Sequence, residues 1–160
     1  MIDPDLEQRI AAATAVFQKD VGVWDVELEI RPAPGASPLR QTAVSTNRRI
    51  GGGRWLVVEH CADSGFEGHG IYGWDPDTGK YVGAWVYSMQ TSVARCEGTW
   101  DPTTRTMTFT VEATHGGQSM RYREITETRD DGTQVYRNLA PTADGGEFEM
   151  IRATYHRRPG

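Results

Sequence analysis

Apolar and polar residues alternate along most of the chain after residue 20. In residues 22–31, positions 24, 26, 28 and 30 carry Trp, Val, Leu and Ile, and positions 25, 27 and 29 carry acids. This period of two is typical of a strand with one buried face. Turn signals rich in Asp, Pro and Gly recur between such segments, as in residues 74–81, 100–105 and 129–133. Strand-length segments between regular turns predict an antiparallel meander, which hides its edges by closing into a barrel.

One helix precedes the predicted strands. It spans residues 4–18, because Asp3 can cap it, Pro4 suits its first turn and apolar residues recur at helical spacing. The strands are expected at residues 22–31, 41–50, 54–61, 67–74, 80–88, 91–100, 106–114, 118–128, 134–139 and 147–157. The fold class is therefore all-β: a closed antiparallel barrel of about ten strands in one domain, residues 1–160, with the barrel over 22–157.

Charge and composition narrow the possible partners. The 17 basic and 22 acidic residues give a net charge of −5, which argues against a nucleic-acid-binding face. The two cysteines, Cys61 and Cys96, do not make a disulfide framework, so we expect reduced thiols. No apolar run reaches the roughly 18 residues of a membrane helix, and the acidic N-terminus lacks a signal-peptide core. We therefore expect a cytoplasmic protein without a membrane partner.

Short motifs follow one another in a fixed order along nearly the whole chain. They are DVGVW (20–24), RPAPG (31–35), IGGGRWL (50–56), GWD (73–75), KYVGAW (80–85), GTWD (98–101), GEF (146–148) and TYHR (154–157). With them the chain resembles the lipocalin-like family numbered 1579 among domains of unknown function. The resemblance implies a calycin-type barrel with a central pocket and no established reaction. Glu59 stands where the family places a glutamate, whereas Tyr87 and Ser88 replace its usual acid and amide.

Glu59 and His69 form the main acid–base candidate. If the loop 62–66 closes symmetrically, the two residues lie opposite each other and share a face. Trp55 lies on that face too, so we expect the face to point into the barrel. A buried Glu–His pair can act as a general base with its orienting group. It can equally be a cross-strand ion pair that satisfies a buried carboxylate, and a one-residue slip would separate the two.

Tyr87 completes the predicted catalytic set. A symmetric turn pairs Trp74 with Tyr81, and a bulge at Gly79 would bring Tyr87 close to His69. Glu59, His69 and Tyr87 would then converge near one mouth of the barrel.

Large aromatic residues are the candidates for ligand binding. Tryptophan and tyrosine at inward positions are either barrel core or the lining of a cavity for a flat apolar molecule. The predicted set is Trp24, Trp55, Trp85, Tyr122, Tyr136 and Tyr155. The three tryptophans are expected to be mostly buried.

No metal or cofactor is expected. The four histidines show no ligand spacing, and His60 and Cys61 point to opposite faces of one strand. Haem-binding barrels use a histidine near the C-terminus, but alternation along the last strand turns Tyr155 inward and His156 outward.

Three functions remain open on these grounds. The first is a cofactor-free cyclase or isomerase acting on a hydrophobic small molecule inside the barrel. The second is a binding or carrier protein for a lipid-like or aromatic ligand. The third is a packed barrel used for contacts within a homodimer. A convergent acid–base group in the cavity favours catalysis, and a wholly aromatic cavity favours binding.

Overall fold

The chain folds into a closed antiparallel barrel. A computed structural model describes residues 3–160, which form an α-helix, a 3-10 helix and ten strands. Helix α1 (Pro4–Thr14) leads into the 3-10 helix Ala15–Asp20. The strands are β1 Gly22–Ile30, β2 Leu39–Ile50, β3 Trp55–Ala62, β4 Glu67–Asp75, β5 Lys80–Tyr87, β6 Ala94–Asp101, β7 Thr106–His115, β8 Gln118–Thr128, β9 Gln134–Pro141 and β10 Glu147–Arg157. Consecutive strands pair, and β1 pairs with β10, so the predicted fold class is confirmed.

The predicted helix is present but shorter in its α-helical part. The Asp3 carboxylate accepts a hydrogen bond from the Asp5 amide at 3.1 Å, as an N-cap does. At the other end the Thr14 hydroxyl donates to the Ile10 carbonyl at 2.8 Å. Beyond Thr14 the chain tightens into the 3-10 helix rather than continuing α-helical to residue 18.

These two helices close one end of the barrel. The Tyr81 hydroxyl donates to the Ala13 carbonyl at 2.7 Å, and its ring packs edge-on against Phe17. The Asp20 carbonyl accepts hydrogen bonds from the Trp24 indole and the Asn47 amide, each at 2.9 Å. We call this end the helix end. The opposite end, formed by the loops 31–38, 63–66, 88–93, 116–117 and 142–146, is called the mouth.

The strand register agrees with the symmetric turns expected from the sequence. Glu59 lies opposite His69, and Trp74 lies opposite Tyr81. Pairing runs without a shift from Asp75 with Lys80 to Gly68 with Tyr87. The bulge expected at Gly79 is therefore not found within residues 67–87; Gly79 instead takes a positive φ of 70° in the turn.

The facing of β3 is the main error of the sequence prediction. Leu56, Val58 and His60 point inside, so Trp55 and Glu59 point outside. Trp55 is 40% exposed and not buried as expected. Its ring lies over Gly73 on β4, where a Cβ would collide with it. The glycine therefore lets the indole lie flat on the outer wall.

Candidate functional site

A cavity of about 400 Å³ occupies the barrel between the helix end and the mouth. Its wall is mainly aromatic and aliphatic. Phe17 and Leu56 line it near the helix end, Tyr72 and Phe109 near the middle, and Trp85 towards the mouth. A concave, mostly apolar space of this size with a few polar groups is the usual form of a small-molecule site.

Two of the three predicted catalytic residues lie outside this cavity. Glu59 and His69 are cross-strand partners, as predicted, but both are exposed on the outer face. The His69 Nε2 atom lies 3.0 Å from Glu67 Oε1, next to it on the same strand face. The expectation that this face is buried is wrong, so the pair cannot act on a molecule in the barrel.

Tyr87, the third predicted residue, does line the cavity at the mouth. Its ring packs on Phe66 with the centroids 5.5 Å apart. Desolvation raises the pKa of its hydroxyl. Tyr87 can therefore contact a ligand as it enters, but the structure does not bring it together with Glu59 and His69.

Four of the six predicted ligand-binding aromatics line the cavity: Trp85, Tyr122, Tyr136 and Tyr155. Trp24 is 1% exposed and belongs to the barrel core instead. Its ring lies between Tyr155, with the centroids 6.4 Å apart, and the Arg157 guanidinium at 4.3 Å. Trp55 lies on the outer wall.

Glu124 on β8 is a cavity residue that the sequence prediction missed. It lies between Phe109 on β7 and Asn138 on β9, its cross-strand partners. Its side chain is partly accessible, and it lines the cavity. Alternation along β8 could have found it, since Tyr122 was predicted to face inside and residue 124 shares that face.

The charge of Glu124 is poorly solvated. Desolvation raises the pKa of this carboxyl to about 7, and a hydrogen bond from Tyr136 only partly offsets the effect. The carboxylate in turn raises the pKa values of the surrounding phenols, after the larger effect of their own burial. Those phenols belong to Tyr72, Tyr122, Tyr136 and Tyr155. The centre of the cavity therefore holds a carboxyl group able to gain or lose a proton near neutral pH.

Asn138 presents an unused hydrogen-bond acceptor at the same place. Its side chain is 4% exposed, and its Nδ2 donates to the Tyr136 hydroxyl at 3.4 Å. Within residues 3–160 its Oδ1 atom has no hydrogen-bond partner. A buried polar atom without a partner is costly, and a bound molecule is one explanation for it.

His60 lies near the mouth as a neutral imidazole. It is buried between Phe66 and Trp85, with ring centroids 6.1 and 6.4 Å away. Desolvation lowers its pKa below the usual 6.5. At neutral pH it can therefore donate or accept one hydrogen bond without adding a charge.

The histidines do not assemble a metal site. Among residues 3–160 no group of three or more His, Cys, Asp or Glu side chains is placed to hold a metal ion. His156 is exposed and lies 3.7 Å from Glu27 on the outer wall, whereas Tyr155 lines the cavity. The alternation expected for the last strand is thus found.

Comparison with known proteins gives a family and a fold. Residues 11–157 match the model of the family described as protein of unknown function (DUF1579), and the chain belongs to this family. No curated protein matches the sequence. The barrel is similar to the crystal structure of Rv2717c from M. tuberculosis, with 12% identity and a TM-score of 0.65. That match covers 90% of this chain and 98% of the other, and at this identity it shows the fold alone.

One further structural finding concerns membranes. Within residues 3–160, the helices are too short or too polar to cross a bilayer.

Proposed function

We propose that this member of a family without an established function binds one small, mostly apolar molecule inside its barrel. The observation that carries the proposal is the 400 Å³ cavity, which is lined by aromatic rings yet has Glu124 at its centre. A barrel built only for stability would fill this space with side chains, because cavities cost free energy. The apolar wall favours an apolar body, and the central polar groups favour a ligand with one hydrogen-bonding group.

Blocking the cavity tests this proposal. N-phenyl-1-naphthylamine is a neutral aromatic probe with one N–H donor, and its fluorescence rises in apolar surroundings. We expect saturable, one-to-one binding to the wild-type barrel. Val58→Trp, which fills the cavity from β3, should weaken it at least about tenfold, the effect of losing a few apolar contacts.

The matched control is Val57→Trp, because Val57 lies on the same strand and points outside. It should bind the probe like the wild type. If Val58→Trp does not fold, Thr126→Phe, which fills the cavity from β8, is used as the blocking variant instead. Equal binding by inner and outer variants that retain the strand signal in circular dichroism would contradict the proposal.

A second candidate function, acid–base catalysis, is favoured by the pKa of about 7 at Glu124. A general base works best when its pKa is near the working pH. This is the group that a cofactor-independent isomerase or cyclase needs, and it takes the place that the sequence prediction gave to Glu59. The Tyr136 hydroxyl, which donates to the Glu124 carboxylate, would orient that base.

A model reaction tests this candidate without the natural substrate. In 5-nitrobenzisoxazole a base removes the proton on C3, the C–H electron pair forms the nitrile, and the N–O bond breaks to leave a cyanonitrophenolate. The Glu124 carboxylate would take that proton and release it to water. The rate should rise with pH to a plateau, with a midpoint of about 7.

Two variants on the same strand separate catalysis by Glu124 from a rate increase caused by the apolar surroundings alone. Glu124→Gln should reduce the rate by at least about a hundredfold, the usual range for a general base. Glu127→Gln should leave it unchanged, because Glu127 is exposed on the outer face of β8. If the two variants react alike, Glu124 is not a base for molecules in the cavity.

A further inference from the structure

The centre of the cavity carries more hydrogen-bond acceptors than the chain itself satisfies. Within residues 3–160 the Glu124 carboxylate forms no ion pair, and the Asn138 Oδ1 atom has no donor. The two residues are cross-strand partners on β8 and β9, and both line the cavity. A ligand that brings hydrogen-bond donors and a positive charge to this point would satisfy both groups at once.

Aromatic rings surround this pair of acceptors. Tyr122 lies two residues before Glu124 on the same strand face, and Tyr136 lies two residues before Asn138. Tyr72, which packs on Phe109 with the centroids 5.7 Å apart, lies across the cavity on β4. Tyr155 lines the cavity from β10, the strand next to β9. The faces of such rings attract cations, and a cage of rings with a carboxylate is the chemistry that recognises organic ammonium ions.

The helix end of the same cavity already holds an ammonium group in this way. The Lys19 Nζ atom lies 4.9 Å from the centre of the Trp100 ring and 2.7 Å from Asp20 Oδ2. Asp20 also accepts a hydrogen bond from the Gln134 amide at 2.8 Å. The carboxylate and ring at the helix end are thus paired with a cation of the chain itself, Lys19. At the centre of the cavity, residues 3–160 provide no such cation for Glu124 and its surrounding rings.

We propose that the ligand of this cavity is an organic ammonium ion: a protonated amine on an apolar or aromatic body small enough for about 400 Å³. Glu124 is its counter-ion, Asn138 Oδ1 accepts one of its N–H groups, and the tyrosine rings lie around the charge. This inference rests on the proposed function and names the class of molecule that the site selects. An anionic ligand would meet Glu124 as a like charge, and a neutral one would leave that charge uncompensated.

Three probes with one ring system test the selection. These are 1-naphthylmethylamine, which is protonated at pH 7.5, neutral 1-naphthylmethanol and anionic 1-naphthoate. Calorimetric titration of the wild-type protein should give the tightest binding for the amine, by at least about tenfold over the alcohol, because it adds a charge-assisted hydrogen bond and cation–π contacts. Naphthoate should bind more weakly than the alcohol.

Variants assign the selection to Glu124. Glu124→Gln has nearly the same shape and should abolish the preference, so that the amine binds no more tightly than the alcohol. Glu127→Gln, on the outer face of the same strand, should keep the full preference. If the wild type binds the alcohol or naphthoate as tightly as the amine, the ammonium inference is wrong.

The remaining outcomes separate this inference from the proposed function. If N-phenyl-1-naphthylamine binds but 1-naphthylmethylamine does not, the cavity takes small molecules and the ammonium inference is overturned. If none of the four probes binds, both the inference and the proposed function are overturned.

Discussion

Glu59 and Glu124 each lie on a strand among aromatic and β-branched residues, but on opposite sides of the barrel wall. Glu59 is exposed on the outer wall opposite His69. Glu124 lines the cavity between Phe109 and Asn138. The same residue type thus meets water in one case and a desolvated, ring-lined space in the other. Facing, and not residue type or pairing, decides which glutamate can act on a ligand.

The difference also shows how much depends on the phase of one strand. A shift of one residue in facing moves a whole set of side chains to the other side of the wall. On β3 the inner set is Leu56, Val58 and His60, and the outer set includes Trp55 and Glu59.

The two cysteines should differ most between the faces. Cys61 is exposed, whereas desolvation and the charge of Glu124 raise the pKa of the Cys96 thiol to about 12. At pH 7.5 this lowers the reactive thiolate fraction of Cys96 about a thousandfold relative to an ordinary thiol. Labelling with N-ethylmaleimide, followed by intact-mass spectrometry, should therefore modify Cys61 at least about a thousandfold faster.

Single-cysteine variants check the assignment. Cys61→Ser should leave a protein that labels very slowly, and Cys96→Ser should leave the fast phase unchanged. Similar labelling rates in the two variants would mean that Cys96 is not desolvated as described.

Glu124 should make the protein less stable as the pH rises. Its folded pKa of about 7 lies above the ordinary value of 4.5, so the folded state holds the proton more tightly than the unfolded chain does. This contribution to stability is complete below about pH 4.5 and is lost as the pH rises to about 7, a change of about 3 kcal/mol in the free energy of unfolding.

Urea denaturation of Glu124→Gln and wild type between pH 5 and 8 measures this change. The variant should gain stability relative to the wild type as the pH rises. His60 acts in the opposite direction, because its lowered pKa favours folding at higher pH. It is present in both proteins, so it cancels in the difference. A flat difference for Glu124→Gln would contradict the prediction.

The two ends of the barrel should differ by a smaller amount. Tyr81→Phe removes the hydrogen bond to the Ala13 carbonyl at the helix end and should cost about 1 kcal/mol. Tyr87→Phe at the mouth should cost less than about 0.5 kcal/mol, because its side chain borders the open cavity. Urea denaturation at one pH compares them, and an equal loss for both variants would contradict the description of the helix end as the closed one.

The smallest effect is expected for the outer histidine. His69→Gln removes an exposed contact with Glu67 and should change the free energy of unfolding by less than about 0.5 kcal/mol. Binding of N-phenyl-1-naphthylamine should not change either. A loss of probe affinity in this variant would mean that His69 does contribute to the binding site.

Turn chemistry and alternation together predicted most of the fold. Symmetric closure of the loop 62–66 gave the pairing of Glu59 with His69, and β1 could be phased because its outer positions carry acids. On β3 and β4 both faces carry apolar residues, so a period of two has no preferred phase there. Trp55 misled the assignment because a large aromatic is usually buried, whereas Gly73 lets this one lie on the outer wall.

The centre of the site could be predicted only in part. Alternation placed Tyr122 inside and so implied Glu124, but a glutamate in a strand is usually solvated. The unpartnered Oδ1 of Asn138 depends on the orientation of one amide relative to Tyr136. Such three-dimensional details leave no trace in the spacing of residues along the chain.

Glu124 lies in a desolvated cavity and should titrate near neutral pH. Carbon-13 NMR of the side-chain carboxyl groups, with the Glu124 signal identified by its loss in Glu124→Gln, measures this directly. The predicted midpoint is about pH 7 in the free protein, and it should move to lower pH when 1-naphthylmethylamine is bound. A midpoint near 4.5, the ordinary value of a solvated glutamate, would show that the Glu124 carboxyl group is not desolvated.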